Sequence, residues 1–222
     1  MVQAVIFDVD GTLVDTVDLH AASWAEALRH FGHDVSQQQV RRQIGKGGDQ
    51  LMPVFLPREM VEQQGEKIEA FRKELFMRCY MPQARAFPGI RELFLRLRKA
   101  GQRIVLASSG KADEVERYKD LAGIADLIDA ATTSDDAERS KPFPDIFQAA
   151  LGRLPSLAAS DAVVVGDTPY DAEAAGKAGL RTVGLLCGGF PGEELRRAGC
   201  IALYRDPADL LAQYEHSPLA PG

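Results

Sequence analysis

Two aspartates separated by one apolar residue, Asp8-Val9-Asp10, close the apolar run Ala4 to Phe7 and are followed at once by Gly11-Thr12. Side chains two apart on a strand point the same way, so both carboxylates can converge on one point if the chain stays extended through Val9. At about 4 Å they repel by roughly 4 kcal/mol at an effective dielectric near 20, so the pair calls for a shared proton or a cation. A hard, oxygen-seeking cation is the simpler answer. An N-cap or Asx-turn role would account for one aspartate but not for two around a single apolar residue.

Three other stretches carry groups of the same kind. Ser108-Ser109-Gly110 follows an apolar run and opens a helical pattern, a place where hydroxyls and backbone N–H groups bind an anion or a serine merely caps the helix. Lys141 stands in Ser140-Lys141-Pro142-Phe143-Pro144, stiffened by proline, and taken alone it reads as a surface lysine. Asp167 and Asp171 lie four apart across a strand end and the first turn of a helix, where an aspartate is also favoured by the helix dipole alone.

Hydrophobic patterning places these groups on elements. Apolar runs bounded by turn signals, at residues 4–7, 103–107 and 162–165, suit buried parallel strands; 181–186 reads as a further strand, 127–131 as a weaker one and 201–204 as a last one. Helical patterns separate them at 90–100, 111–121, 144–151 and 169–179. Strands alternating with helices of this length predict an α/β fold, a doubly wound, Rossmann-like parallel sheet that presents functional groups at the carboxyl ends of its strands. Between the first strand and the rest lies a block that reads as all helix. Thr16 caps a helix that stops at Gly32, a second runs from Ser36 to Ile44, and a third spans Asp49 to Phe55. A long charged helix after Pro57 carries the apolar stripe Val61, Ile68, Phe71, Leu75 and Cys79. Met81-Pro82 and Phe87-Pro88-Gly89 mark the return. The expected division is residues 1–15 and 82–222 as an α/β core with residues 16–81 as a helical insertion.

Taken together, Asp8-x-Asp10, Ser108, Lys141, and Asp167 with Asp171 match in order the four motifs of the haloacid dehalogenase superfamily, which this chain resembles over its whole α/β core. The position of the helical block resembles members with a helical cap, in particular β-phosphoglucomutase and its phosphoglycolate phosphatase relatives, and Asp10 separates the chain from the dehalogenase branch, which lacks an acid there. The resemblance implies Asp8 as nucleophile toward phosphorus and Asp10 as acid for the leaving alcohol, then base for water. It implies magnesium held by Asp8, the backbone carbonyl of Asp10 and Asp167, and phosphate oxygens held by Ser108 and Ser109. It implies Lys141 as the neutralising cation and Asp171 as the residue that orients Lys141 or a magnesium-bound water.

Substrate choice would then lie in the cap. His20, in Asp15-Thr16-x-x-x-His20, resembles the hinge segment of the mutase group, although a lone histidine defaults to a hydrogen-bonded core or surface residue. Lys46, in the loop Gly45-Lys46-Gly47-Gly48, is placed to meet an anionic substrate or to remain a solvated loop residue. That loop lacks the arginine that the mutase carries. The expected function is a magnesium-dependent phosphatase acting on a small phosphate ester through an aspartyl-phosphate, with a phosphosugar mutase and a catalytically silent phosphometabolite-binding module as alternatives.

Composition sets the outer bounds. The 222 residues are 45% hydrophobic, enough for a core, and the net charge of −6 gives no basic field for nucleic acid or an anionic membrane surface. No apolar segment reaches membrane-spanning length and residues 1–7 lack the pattern of a signal peptide, so a cytoplasmic location is expected; the expected assembly is a monomer or weak dimer. Cys79, Cys187 and Cys200 lack metal-ligand spacing and read as reduced, mostly buried thiols. Residues 217–222 read as a frayed tail.

Overall fold

A computed structural model describes residues 1–220. The first strand, β1 (Ala4–Phe7), has no exposed residue, because it lies in the middle of a six-stranded parallel sheet. The chain then passes through β2 (Val14–Asp15) into four helices, α1 (Val17–His30), α2 (Gln37–Arg41), α3 (Gly48–Phe55) and α4 (Arg58–Leu75). It returns through β3 (Arg85–Ala86). From there α5 (Ile90–Lys99), β4 (Arg103–Ala107), α6 (Ala112–Leu121), β5 (Ala130–Thr132), α7 (Asp145–Gly152), β6 (Ala162–Gly166), α8 (Pro169–Lys177) and β7 (Arg181–Leu185) alternate. The chain closes with α9 (Gly192–Ala198), β8 (Cys200–Tyr204) and α10 (Pro207–Ala212).

The strand order β5-β4-β1-β6-β7-β8 gives the expected α/β, doubly wound sheet. Its two faces divide β1 by alternation, as a period of two requires. Val5 and Phe7 join one apolar cluster with Leu93, Phe94, Leu97 and Tyr214, and Ala4 and Ile6 join another with Ile146, Phe147, Ala174 and Ala175. Each large side chain so buried contributes about 1.5–3 kcal/mol. The helices α1 to α4 close a third cluster of their own around Trp24, Leu28, Val40, Leu51 and Ile68. The two chain crossings between block and sheet lie side by side as an antiparallel ribbon, with Val14 opposite Ala86 and Asp15 opposite Arg85.

Several expectations shift. The helix read from Ser36 to Ile44 is only α2, with Ser36 as its cap in a reciprocal pair with Gln39. The long charged helix ends at Leu75 and continues as a π-helical turn over Phe76–Tyr80, which turns Cys79 outward; Cys79 is exposed, Cys187 half-buried and only Cys200 buried. The strand read at 127–131 lies at Ala130–Thr132, since Ala125–Leu127 form a 3₁₀ turn. The expected frayed tail is packed. Ser217 and Leu219 are buried, and Gln102 binds the Leu219 carbonyl while accepting the Tyr214 hydroxyl. Residues 221–222 of that stretch lie outside the described residues. The short helices α9 and α10 carry too little periodicity to stand out in sequence.

Candidate active site

Strands β1, β4 and β6 are adjacent and parallel, so their carboxyl ends deliver Asp8, Ser108 and Asp167 to one edge of the sheet. Lys141 arrives from the loop before α7 and is fully buried, not a surface lysine. Its ammonium hydrogen-bonds Asp8 Oδ1, lies 2.7 Å from Asp171 Oδ1 and donates to the Ala107 carbonyl at 3.1 Å. Burial opposes its charge, but Asp171 and Asp8 outweigh that and hold its pKa above the usual lysine range.

The acids divide into two environments. Oxygens of Asp8, Asp167 and Asp171 lie within 4.8 Å of one another, all three buried. Burial pushes Asp8 up to about 7, with Lys141 opposing and Asp171 adding to the rise. Asp167 is raised well above the usual carboxylate range by burial and then by the charges of Asp8 and Asp171. Asp10 stands apart from this cluster. Burial would raise its pKa, but His20 and the Thr16 hydroxyl hold it below the ordinary value. Thr16 donates to Asp10 Oδ1 at 2.7 Å, and His20 Nε2 lies 2.8 Å from the same oxygen. Thr16 thus precedes α1 without a side-chain capping bond; its hydroxyl serves the acid instead.

Whether these residues fit a magnesium ion can be tested on their polar atoms. Asp167 Oδ1 accepts from Thr12 at 2.8 Å, whereas its buried Oδ2 has no hydrogen-bond partner. A Cβ on either Gly11, whose φ is +85°, or Gly188 would overlap Oδ2, so glycine at both positions keeps that oxygen's surroundings clear. Asp8 and Asp167 thus form a hard-oxygen donor set with an orphaned anion, which fits a divalent cation. Asp171 does not share that vacancy. Its Oδ2 accepts from the Thr168 N–H at 3.0 Å and hydroxyl at 2.7 Å, in a capping box at the start of α8, and its Oδ1 faces Lys141. The carboxylate of Asp10, engaged by Thr16 and His20, lies outside the cluster as well.

The other expected residues fall as follows. Ser108 is buried and its Oγ accepts from Gly110 N–H at 2.9 Å. Ser109 Oγ donates to the Gly45 carbonyl at 3.3 Å, joining the loop after β4 to the helical block. His20 borders the cleft, stacks on Phe76 with ring centroids 4.0 Å apart, and reaches the Tyr118 hydroxyl at 3.2 Å. Lys46 also borders the cleft, but its ammonium donates to Gln43 at 2.6 Å and lies over the Tyr170 ring. Sequence reading passed over Thr12, Tyr118, Arg72 and Glu114. Thr12 stood in the first motif beside Gly11, so its side chain could have been read as part of the site. Arg72 and Glu114 carried no signal, since each is one charge among many on a helix.

The helical block rests on the sheet edge above these groups. Asp49 accepts the Ser140 N–H and hydroxyl, next to Lys141; Lys73 pairs with Asp113, and Arg72 donates to Glu114 Oε1 at 2.9 Å. The cleft left beneath, about 50 Å³, is bordered by Asp8, Asp10 and Ser109 from the sheet side and by Trp24, Lys46 and Arg72 from the block.

Residues 5–185 match the sequence profile of the haloacid dehalogenase-like hydrolases. The chain is 30% identical to the pyrophosphatase PpaX of Bacillus velezensis over 83% of each chain. It is 28% identical to a phosphorylated carbohydrates phosphatase of Thermotoga maritima over 94% of this chain and 96% of that one. Among solved structures, a hydrolase from Pseudomonas syringae superposes with a TM-score of 0.84 at 32% identity, covering 96% of this chain and 98% of the other.

Proposed function

The chain belongs to the haloacid dehalogenase-like hydrolases, and on that premise we propose that it is a phosphatase of small phosphate esters that works through an aspartyl-phosphate on Asp8. The observation that carries the reading is the convergence of Asp8, Lys141 and Asp167 under the helical block, with a second acid, Asp10, held separately by Thr16 and His20. Residues 16–81 act as the cap.

In the first step an oxygen of Asp8 forms a bond to phosphorus while the bond from phosphorus to the alcohol oxygen breaks, and Asp10 gives that oxygen a proton. In the second step water bonds to phosphorus, its proton returns to Asp10, and the Asp8 carboxylate is released. Ser108 and the Ser109 N–H hold phosphate oxygens. Lys141 favours the anionic form of Asp8 against burial and offsets charge on the phosphoryl group, and Asp171 positions Lys141. Asp8, Asp167 and the Asp10 backbone carbonyl would hold magnesium, which when bound neutralises both the carboxylates and the phosphate. Asp10 differs from Asp8 in its partners: an imidazole and a hydroxyl can each donate to the anion or accept from the acid, whereas the Lys141 ammonium can only donate.

Release of phosphate from a panel of phosphorylated metabolites, with and without magnesium, tests the activity. Acid quench with a radiolabelled substrate tests the intermediate: label bound to protein and freed by hydroxylamine is expected, and its absence during steady turnover refutes the aspartyl-phosphate.

A further inference from the structure

We infer that Glu114 and Arg72 form a subsite for a hydroxyl on the alcohol part of the substrate, so that the enzyme acts on phosphomonoesters of neutral polyols or sugars and rejects phosphorylated carboxylates and pyrophosphate. The inference rests on the phosphatase reading above and names the substrate class of that same site. Glu114 is 1% exposed, yet its Oε2 has no hydrogen-bond partner, and Arg72 Nε is likewise buried without one. Leaving such atoms unpaired costs about 1–3 kcal/mol each, more for charged groups, so a pair that persists in this state is poised for a ligand.

The position of Glu114 Oε2 supports this assignment. A Cβ built on Gly110 would lie 3.3 Å from Glu114 Oε2, 3.1 Å from Ser108 Oγ and 3.8 Å from Asp10 Oδ2. One point is therefore framed by the phosphate-side hydroxyl, the acid that serves the leaving oxygen, and the orphaned carboxylate. Asp10, Gly110 and Glu114 all border the cleft, so an alcohol whose oxygen meets Asp10 has its neighbouring substituents on the side of Glu114. The guanidinium of Arg72 is held between the rings of Trp24 and Phe76, at 5.3 and 5.4 Å, so the pair is stiff.

The charges decide the class. Arg72 is neutralised by Glu114, Lys46 is turned toward Gln43 and Tyr170, and Lys111 pairs with Asp135 at 3.0 Å. Glu69 adds a second carboxylate to the wall. A hydroxyl donates to Glu114 Oε2 and accepts from Arg72 Nε, satisfying both. A carboxylate or a second phosphate has no proton to give Glu114 Oε2 and would also face the carboxylate of Glu69.

Glycerol 3-phosphate and 3-phosphoglycerate differ by a hydroxymethyl group against a carboxylate, and kcat/KM for both, with p-nitrophenyl phosphate as a reporter of the core alone, tests the proposal. The wild-type ratio is expected to favour the polyol ester by about a hundredfold. Glu114→Gln, which removes the charge but not the shape, is expected to lower that ratio by about tenfold or more, through faster turnover of the carboxylate. Both substrates are measured on one sample, so incomplete folding of the variant cancels in the ratio. A wild-type preference for 3-phosphoglycerate, or a ratio unmoved in the variant, overturns the subsite while turnover of p-nitrophenyl phosphate persists. Failure to release phosphate from p-nitrophenyl phosphate with magnesium overturns the phosphatase reading itself.

Discussion

Lys141 Nζ lies 2.7 Å from Asp171 Oδ1 while also hydrogen-bonding Asp8, so a single buried ammonium ties the end of β1 to the first turn of α8. The pairing is reinforced from behind, because Thr168 occupies the other oxygen of Asp171. A lysine held on both sides cannot swing away from Asp8, and its removal leaves two buried carboxylates without their counter-charge.

Lys141→Met is accordingly expected to abolish turnover and to destabilise the metal-free protein by about 3–5 kcal/mol. Adding Asp171→Asn to it should recover part of that loss, since one stranded charge is removed. Urea denaturation of the single and double variants measures this, and a double variant less stable than the single one contradicts the coupling.

Asp8→Asn removes the nucleophile and one of three clustered acids. Turnover is expected to fall by about a thousandfold or more, with thermal stability unchanged or raised because acid-acid repulsion is relieved. Activity and thermal melting on one sample decide it.

Metal and protons compete for the same oxygens. Asp8 is raised to about 7 in the metal-free fold, by burial first, so between its unfolded pKa of about 4 and 7 the folded state binds a proton that the unfolded state does not. Protonation thus stabilises the fold fully below about 4, and that contribution is lost as pH rises through about 7. The metal-free protein should therefore melt at lower temperature at pH 8 than at pH 6, and magnesium should shrink the difference. Chelator should stop turnover and magnesium restore it, whereas calcium, with more ligands at longer distances, should inhibit.

His20 and Thr16 lower the pKa of Asp10 against the effect of burial. His20→Asn removes the larger of these influences, so Asp10 keeps its proton to higher pH. The alkaline limb of kcat/KM that reports this acid should move upward in the variant. A limb that stays or moves down shows that another group supplies the proton.

The glycine loop Gly45 to Gly48 offers a departing sugar no arginine, so water should capture the phospho-enzyme. Glucose 1-phosphate supplied with glucose 1,6-bisphosphate should yield free phosphate and little glucose 6-phosphate. Isomerisation faster than phosphate release would establish the mutase instead.

The candidate site was readable from sequence because its groups end apolar runs or stand beside proline or glycine, and these signals are local. Asp8, Ser108 and Asp167 each follow an apolar strand, and a parallel sheet presents such groups at the carboxyl ends of its strands. The burial of Lys141 was not readable, since it depends on Asp171 and Asp8 meeting across long stretches of chain. The partnership of Arg72 with Glu114 was hidden for the same reason: each helix shows many charges, and only the packing of one helix against the other selects this pair. The tail was misread because Leu219 has a partner, Gln102, that no local pattern announces.

The apolar cluster of α1 to α4 contains no residue of the two clusters that sandwich the sheet. Mutational drift inside that cluster therefore leaves the sheet's two clusters unchanged, whereas Leu19 and Phe76 pack on the sheet and Thr16 and His20 hold Asp10. A lineage can alter Trp24, Glu69 or Arg72 without touching Asp8, Lys141 or Asp167, and a chimera that carries a relative's residues 21–75 should exchange substrate preference while keeping Thr16 and His20 on Asp10.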